Sequence, residues 1–190
     1  ALGGGADDYL KIRRRELCAN GEVVAIITYN YQYNVYNIVV EYQEYFLGYT
    51  VSKLQELKEL LGKYQFNEVI INELVTYPNL YDCLHWIADY AKITRAKLVM
   101  LLHDYFAVCP TINLLNEEGK YCRIENCEAC NLDRCSVGCA NYQSIDTWKE
   151  EWYHFLAKCD EVRVFSNDSQ RILEKQYGKM QNINLVPHQV

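Results

Sequence analysis

The chain has 190 residues, half of them hydrophobic and 23% charged, which is ordinary for a globular protein and long enough to bury a core. Its formal net charge of -6 argues against nucleic acid as the main partner, because phosphate binding requires a basic face. No apolar stretch has the length of a membrane span and no segment resembles a signal peptide, so we expect a cytoplasmic protein. The one basic run, residues 11–15, is interpreted as the solvated side of a helix or as a patch for peripheral contact with an anionic ligand or the inner face of the membrane.

The amino-terminal half is predicted to alternate strands and helices. A glycine run at residues 3–5 opens the first helix, whose inner face includes Ile12. Such a run allows a backbone to approach a phosphate or a sugar closely. A capping box at residues 52–55 starts the second helix, and Gly62 ends it. Apolar runs predict strands at 23–28, 36–41, 46–51 and 68–72, and a helical stripe covers 77–93.

The carboxyl-terminal half continues the same alternation. The apolar run at residues 98–102 has the length and composition of a strand that is buried on both faces, and it ends in His103-Asp104. A capping box at residues 147–150 opens a helix with a buried stripe of apolar residues. A strand at 161–165 ends in Ser166, which is predicted to cap the helix at 167–177, and the last apolar segment is 184–188.

This alternation, with short connections from strand to helix, predicts an α/β fold with a doubly wound, mainly parallel, Rossmann-like sheet. Parallel strands point one way, so the residues that follow them share one edge of the sheet, where ligands bind in such folds. We expect that edge to carry the glycine run and a set of polar residues: Asn72, Glu73, His103, Asp104, Ser166 and His188.

A cysteine-rich loop is predicted to be inserted at residues 109–145. Without a secretory signal, the nine cysteines of the chain are interpreted as thiols or metal ligands before disulfides. The loop is too poor in apolar residues to fold on a core of its own, and a structural zinc would organise it. An iron–sulfur cluster, reduced thiols and disulfides formed on purification are the alternatives, while Cys18, Cys83 and Cys159 fit helical inner faces as core residues. The candidate ligands are Cys122, Cys127, Cys130, Cys135 and Cys139.

Several segments together resemble the amino-terminal half of a GT-B glycosyltransferase of the family-4-like group. The most specific block is His103-Asp-Tyr-Phe106 with Cys109-Pro110 and the loop at 113–122. The resemblance covers nearly the whole chain and implies that residues 1–190 form the Rossmann-like domain that holds the acceptor. It also implies a carboxyl-terminal, donor-binding domain that these residues do not include. The other matching segments are 2–6, 71–75, 165–169 and 185–188.

The resemblance implies transfer of a sugar, with retention, from a nucleotide-sugar donor to a polysaccharide or lipid-linked acceptor. It implies that His103 lies beside the transferred sugar, where it hydrogen-bonds a hydroxyl or stabilises developing charge, and that Asp104 orients His103 or binds an acceptor hydroxyl. Such enzymes generally work without a catalytic metal. Because the donor domain lies outside these residues, the chain by itself is expected to be inactive. The resemblance implies that the backbone of Gly3, Gly4 and Gly5 approaches the donor diphosphate or the acceptor, and that the chain crosses into the second domain at His188. The other candidate substrate contacts are the polar residues of the predicted sheet edge, Asn72, Glu73, Ser166 and His188.

Two other interpretations of the sequence stay open. The chain is alternatively a non-enzymatic α/β binding module whose metal-stapled cysteine loop contacts a protein partner. Another type of Rossmann enzyme is less favoured, because the glycine run lacks the spaced G-x-G-x-x-G pattern and no acidic ribose ligand is suitably placed.

Overall fold

A computed structural model of the protein describes residues 5–116, 118–124 and 144–187. The described chain is mixed α/β and divides into two compact units, the first made of the chain up to Phe66 with Leu74–Trp86, the second of Asn67–Glu73 with the chain from Ile87 onward. The helices are α1 (Gly5–Ala19), α2 (Leu54–Leu61), α3 (Leu80–Thr94), α4 (Ile145–Lys158) and α5 (Asn167–Tyr177). The strands are β1 (Val24–Asn30), β2 (Val35–Tyr42), β3 (Tyr45–Val51), β4 (Glu68–Ile71), β5 (Lys97–Leu102), β6 (Glu161–Val164) and β7 (Ile183–Leu185).

The first unit contains an antiparallel sheet of β1, β2 and β3, in that order. The three strands are confirmed, but the prediction that they belong to one mainly parallel sheet is wrong. Four residues join β1 to β2 and two join β2 to β3, whereas a parallel connection needs a crossover of about a dozen residues. Gln43, in the shorter turn, has a φ of 54°, the left-handed backbone conformation that tight hairpins use.

The core of the first unit lies between one face of this sheet and α2. Tyr36 and Ile38 alternate on β2 and are 2% and 1% exposed, and they cluster with Leu57 and Leu61 of α2. Tyr77 packs against the same cluster, and its hydroxyl donates a hydrogen bond to the Ile27 carbonyl (2.8 Å). Residues two apart on a strand and four apart on a helix point to the same side, which explains why these residues meet.

Helix α1 does not bury the inner face that the sequence predicts, since none of its residues is buried and Ile12 is 57% exposed. The basic run on this helix is largely neutralised by neighbouring carboxylates. Lys11 pairs with Asp7 (2.7 Å), and Arg14 reaches Glu41 on β2 (3.0 Å). These contacts agree with the interpretation of the run as a solvated helix side.

Two of the predicted helix starts are displaced by a few residues. At α2, the carboxylate of Glu56 accepts from the backbone amides of Ser52 and Lys53. Glu56 therefore completes the capping box, in place of the predicted Gln55. At α4, Ser144 is the capping residue and accepts from the amide of Thr147, which lies inside the helix. The predicted cap of α5 by Ser166 is confirmed (3.0 Å to the amide of Ser169).

The second unit is built on a parallel sheet whose strands lie in chain order, β4-β5-β6-β7. The predicted parallel sheet is therefore confirmed for these strands. The order contains no reversal among the described strands, and a reversal is what defines a doubly wound sheet. Strand β5 is central, and the predicted buried run is confirmed, with every residue from Leu98 to Leu102 at most 5% exposed.

Helix α4 supplies the largest side chains of the second core. Trp148 and Trp152 are both fully buried, together with Phe155 and Leu156, as the apolar stripe predicts. Phe106, from the segment after β5, packs edge-on against Trp148, with ring centroids 4.9 Å apart. None of the helices in the described part of the chain has the length and the apolar content that a bilayer span needs.

The cysteines outside the cysteine-rich loop largely follow the prediction. Cys83 and Cys159 are buried, and burial raises the pKa of the two thiols to about 11 and about 12. Thiols of this kind are inert core residues. Cys18 is only half-buried, because α1 buries no residue.

Candidate functional site

The carboxyl edge of the parallel sheet brings three side chains together. Asn72 follows β4, His103 follows β5 and Phe165 follows β6, and the three strands are neighbours in the sheet. In the ladder Ile71 lies opposite Met100, and Leu102 lies opposite Val164. Continuing that register places His103 directly beside Phe165 and within reach of Asn72. The edge predicted from the order of strands therefore exists in the second unit.

The imidazole of His103 is held by Asn72. Its Nε2 lies 3.0 Å from the amide oxygen Oδ1 of Asn72. An amide oxygen only accepts hydrogen bonds, so this contact is a hydrogen bond when Nε2 carries the proton. In neutral His103 that protonation leaves the lone pair on Nδ1, which is buried. Asn72, predicted as a substrate contact, is thus part of the histidine's own support.

Phe165 fixes the plane of the same ring. The two rings are stacked, with centroids 4.5 Å apart and an angle of 10° between their planes. The stack restricts rotation of the imidazole about its side-chain bonds, and the hydrogen bond to Asn72 fixes its edge. Sequence reasoning did not select Phe165 as a site residue. The signal was available, because Phe165 comes directly after a strand that ends at the same edge.

Asp104 has a different environment from the one predicted. Its Oδ1 accepts from the backbone amide of Phe106 (2.9 Å), which closes a turn directly after β5. Among the described residues Asp104 makes no hydrogen bond to His103, and the imidazole is hydrogen-bonded to Asn72. Burial raises the pKa of the Asp104 carboxyl, although the hydrogen bond from Phe106 opposes the shift. The second oxygen, Oδ2, has no partner in the described chain and is available to a hydroxyl.

The segment that follows Asp104 is anchored by two helices. The indole Nε1 of Trp148 on α4 donates to the carbonyl of Phe106 (3.0 Å), and the hydroxyl of Tyr177 on α5 donates to the carbonyl of Ala107 (2.6 Å). Burial also raises the pKa of Tyr177, which keeps its phenol protonated as a donor. These two bonds make the chain after His103 a fixed part of the edge rather than an open loop.

The structure says less about a binding role for the remaining predicted substrate contacts. Ser166 lies at the edge after β6, but its hydroxyl is used to cap α5. Glu73 follows Asn72 and is half-buried. Gly5 is the first residue of α1, in the other unit, and a side chain there would meet no atom within 4 Å. Gly3, Gly4 and His188 lie outside the described residues.

The predicted zinc ligands are almost entirely outside the described residues, since Cys127, Cys130, Cys135 and Cys139 all fall within 125–143. Cys122 is described as a half-buried free thiol whose amide donates to the Leu114 carbonyl (2.9 Å). Within the described ranges no three histidine, cysteine or acidic side chains are arranged to hold a metal ion. The structural zinc stays a prediction.

A cleft of about 810 Å³ lies at the opposite edge of the parallel sheet, where the strands begin. The residues that line it include Arg95, Lys97, Lys158 and Asp160. Lys97 is paired with Glu161 (2.7 Å), and Asp160 accepts from the backbone amide of Leu98 (2.7 Å). Basic residues near helix carboxyl ends complement the helix dipole, which explains this cluster without a ligand.

Comparison of the chain with known protein families, with characterised proteins and with solved structures finds no match. The candidate site therefore rests on the geometry of the carboxyl edge. There the sheet presents an oriented imidazole, a stacked phenyl ring and a half-buried carboxyl group with one open oxygen.

Proposed function

We propose that the chain is the acceptor-side domain of a nucleotide-sugar-dependent glycosyltransferase of the GT-B type. The observation that carries the proposal is His103, which stands at the end of the central parallel strand, hydrogen-bonded to Asn72 and stacked on Phe165. Ligands in open α/β folds bind at this edge. The motif that gave the resemblance, His103 to Phe106, occupies the same place.

The proposal includes a Rossmann-like arrangement for the second unit. Its support is the parallel sheet of β4 to β7, connected through α3, α4 and α5, with a buried apolar strand at the centre. Donor binding then belongs to a second domain outside these residues, and the glycine run at residues 3–5 is assigned to the donor diphosphate or the acceptor. A peripheral association with the inner face of the membrane fits a lipid-linked acceptor.

The chemistry assigned to the edge follows from its groups. Glycosyl transfer passes through an oxocarbenium-like transition state, and fixed polar groups that do not need to reorganise stabilise the developing charge. His103 is such a group, because two neighbours hold its ring. Asp104 is assigned to an acceptor hydroxyl through Oδ2. The described carboxylates do not form an obvious pair of acid and base, which fits a retaining reaction in which the donor's own phosphate takes the proton.

The test is donor turnover by the complete gene product. Wild type, His103→Ala and His154→Ala are assayed for release of nucleoside diphosphate from a panel of nucleotide sugars. His154 is an exposed histidine of the same unit, on α4, whose nearest charged partner is Glu150 at 3.8 Å, so its variant is the matched control. Loss of one transition-state contact costs about 100-fold or more in kcat. We expect that loss for His103→Ala and wild-type rates for His154→Ala.

The opposite result is equally clear. If no donor is consumed, or if His103→Ala and His154→Ala both behave like wild type, the glycosyltransferase proposal is refuted. The non-enzymatic binding module then becomes the better interpretation, and the cysteine-rich loop is the place to look for a partner.

A further inference from the structure

At the carboxyl edge of the parallel sheet, one neighbour holds the edge of the His103 ring and another holds its plane. Asn72 binds Nε2 of His103 through its amide oxygen (3.0 Å), and Phe165 lies parallel to the ring at 4.5 Å. All three side chains are half-buried. A side chain that is shielded from water and held in this way loses rotational freedom before any ligand arrives.

We propose that Asn72 is a positioning residue, which fixes His103 in the tautomer protonated on Nε2, and that Phe165 fixes the plane of the ring. The role of His103 in a reaction rests on the proposed function, whereas the tautomer does not. The inference replaces the assignment of Asn72 as a substrate contact. The neutral ring then has its lone pair on Nδ1, an atom that is buried in the structure.

The neutral ring fixed in this tautomer has its only acceptor at Nδ1, and that atom is buried, so Asn72 is assigned to the orientation of the ring and not to substrate contact. The acidic residues directly after the strands that carry the site are Glu73 after β4 and Asp104 after β5. The carboxyl of Asp104 binds the amide of Phe106, whereas Asn72 contacts the imidazole, so the inference assigns the tautomer to Asn72.

The experiment is nitrogen-15 NMR of the imidazoles. The chain has four histidines, so their resonances are readily assigned, and the ring shifts distinguish the two neutral tautomers. The variants are Asn72→Leu, which removes the acceptor at similar size, and Asn72→Asp, which keeps an acceptor oxygen and adds a negative charge. The resonances of His154, which is exposed on α4, serve as the internal control.

We expect His103 of the wild type to be protonated on Nε2 in its neutral form. In Asn72→Leu the other tautomer should become populated. In Asn72→Asp the Nε2 proton should persist and the pKa of His103 should rise, because a neighbouring carboxylate favours the charged ring. In the complete gene product, Asn72→Leu should lower kcat on the order of tenfold or more with little change in KM, as loss of a ring-orienting partner does elsewhere.

The outcomes separate the inference from the proposed function. If Asn72→Leu leaves the tautomer of His103 unchanged, the inference is wrong whatever the activity. If that variant does not fold, Asn72→Asp decides, and an unchanged pKa of His103 overturns the inference. If the tautomer shifts as expected but wild type consumes no donor, only the proposed function fails. If His103→Ala abolishes turnover while Asn72→Leu does not affect it, the positioning role is refuted.

Discussion

The hydrogen bond from Trp148 to the segment after His103 should contribute measurably to stability. Trp148 is fully buried, and its Nε1 donates to the carbonyl of Phe106, which is itself a buried residue (3.0 Å). In Trp148→Phe this carbonyl keeps no partner in the described chain. A buried acceptor without a hydrogen bond costs about 1–3 kcal/mol, in addition to the cavity that the smaller ring leaves.

Trp152 provides a matched control one helical turn further along α4. It is also fully buried, but its Nε1 has no hydrogen-bond partner among the described residues. Trp152→Phe makes the same change in volume and removes a donor that is not satisfied in that part of the chain. The two variants therefore share the cavity cost and differ in the hydrogen bond. We expect Trp148→Phe to be destabilised by about 2 kcal/mol more than Trp152→Phe.

Urea denaturation followed by near-ultraviolet circular dichroism measures this difference. With a slope of about 2 kcal/mol per molar urea, the midpoint of Trp148→Phe should lie about 1 M below that of Trp152→Phe. Equal midpoints, or a lower midpoint for Trp152→Phe, would show that the indole does not anchor the segment. Separately, the donor assay of the two variants in the complete protein tests whether anchoring of this segment affects turnover.

Three further predictions concern single residues. Arg95 follows α3 with a φ of 59°, so Arg95→Gly should raise the unfolding free energy by up to about 1 kcal/mol in urea titrations, while Arg95→Ala should give no gain. A hydrogen bond from Arg163, with further help from Lys97, lowers the pKa of Glu161 from 4.5 to about 2, so its stabilising contribution is present above pH 4.5 and is lost as the pH falls toward 2. Urea titrations of wild type and Glu161→Gln over that pH range should show the difference in their unfolding free energies vanish at the acid end. A difference that stays constant with pH would contradict the lowered pKa of Glu161. For Asp104 the pKa shift has the opposite sign, because burial raises the pKa of its carboxyl. Asp104→Asn keeps an acceptor oxygen and removes the charge, so it should raise the unfolding free energy at pH 7. This gain should be lost as the pH falls below the pKa of the folded carboxyl. A destabilised Asp104→Asn at neutral pH would count against the burial argument.

Local sequence patterns were sufficient for most elements of the fold. The apolar run at residues 98–102 predicted a buried strand, and the stripe on α4 predicted its core, because both periods are properties of the backbone. The cap of α5 by Ser166, and the end of that helix at Gly178 with a φ of 76°, were also predictable from neighbouring residues alone. The capping residues of α2 and α4 were misplaced by a few positions, since several nearby polar side chains competed for the same amides.

The placing of polar residues at one edge of the sheet was also within reach of the sequence. It needed only the direction of parallel strands, and Asn72 and His103 were chosen on that basis. The antiparallel sheet of β1 to β3 was missed, although its two-residue turn at Gln43 was readable as a hairpin. The pattern of apolar residues identifies a strand, but it does not say which strand lies beside it.

The site itself was decided only by tertiary structure. Asn72 and His103 are 31 residues apart, and no spacing in the chain relates them. Their hydrogen bond, and the stack of His103 on Phe165, follow from the register in which β4, β5 and β6 pair. The sequence alone determined where His103 stands on its strand. The orientation of the imidazole was settled by neighbours that approach from other strands, because pairing and register depend on burial over the whole sheet.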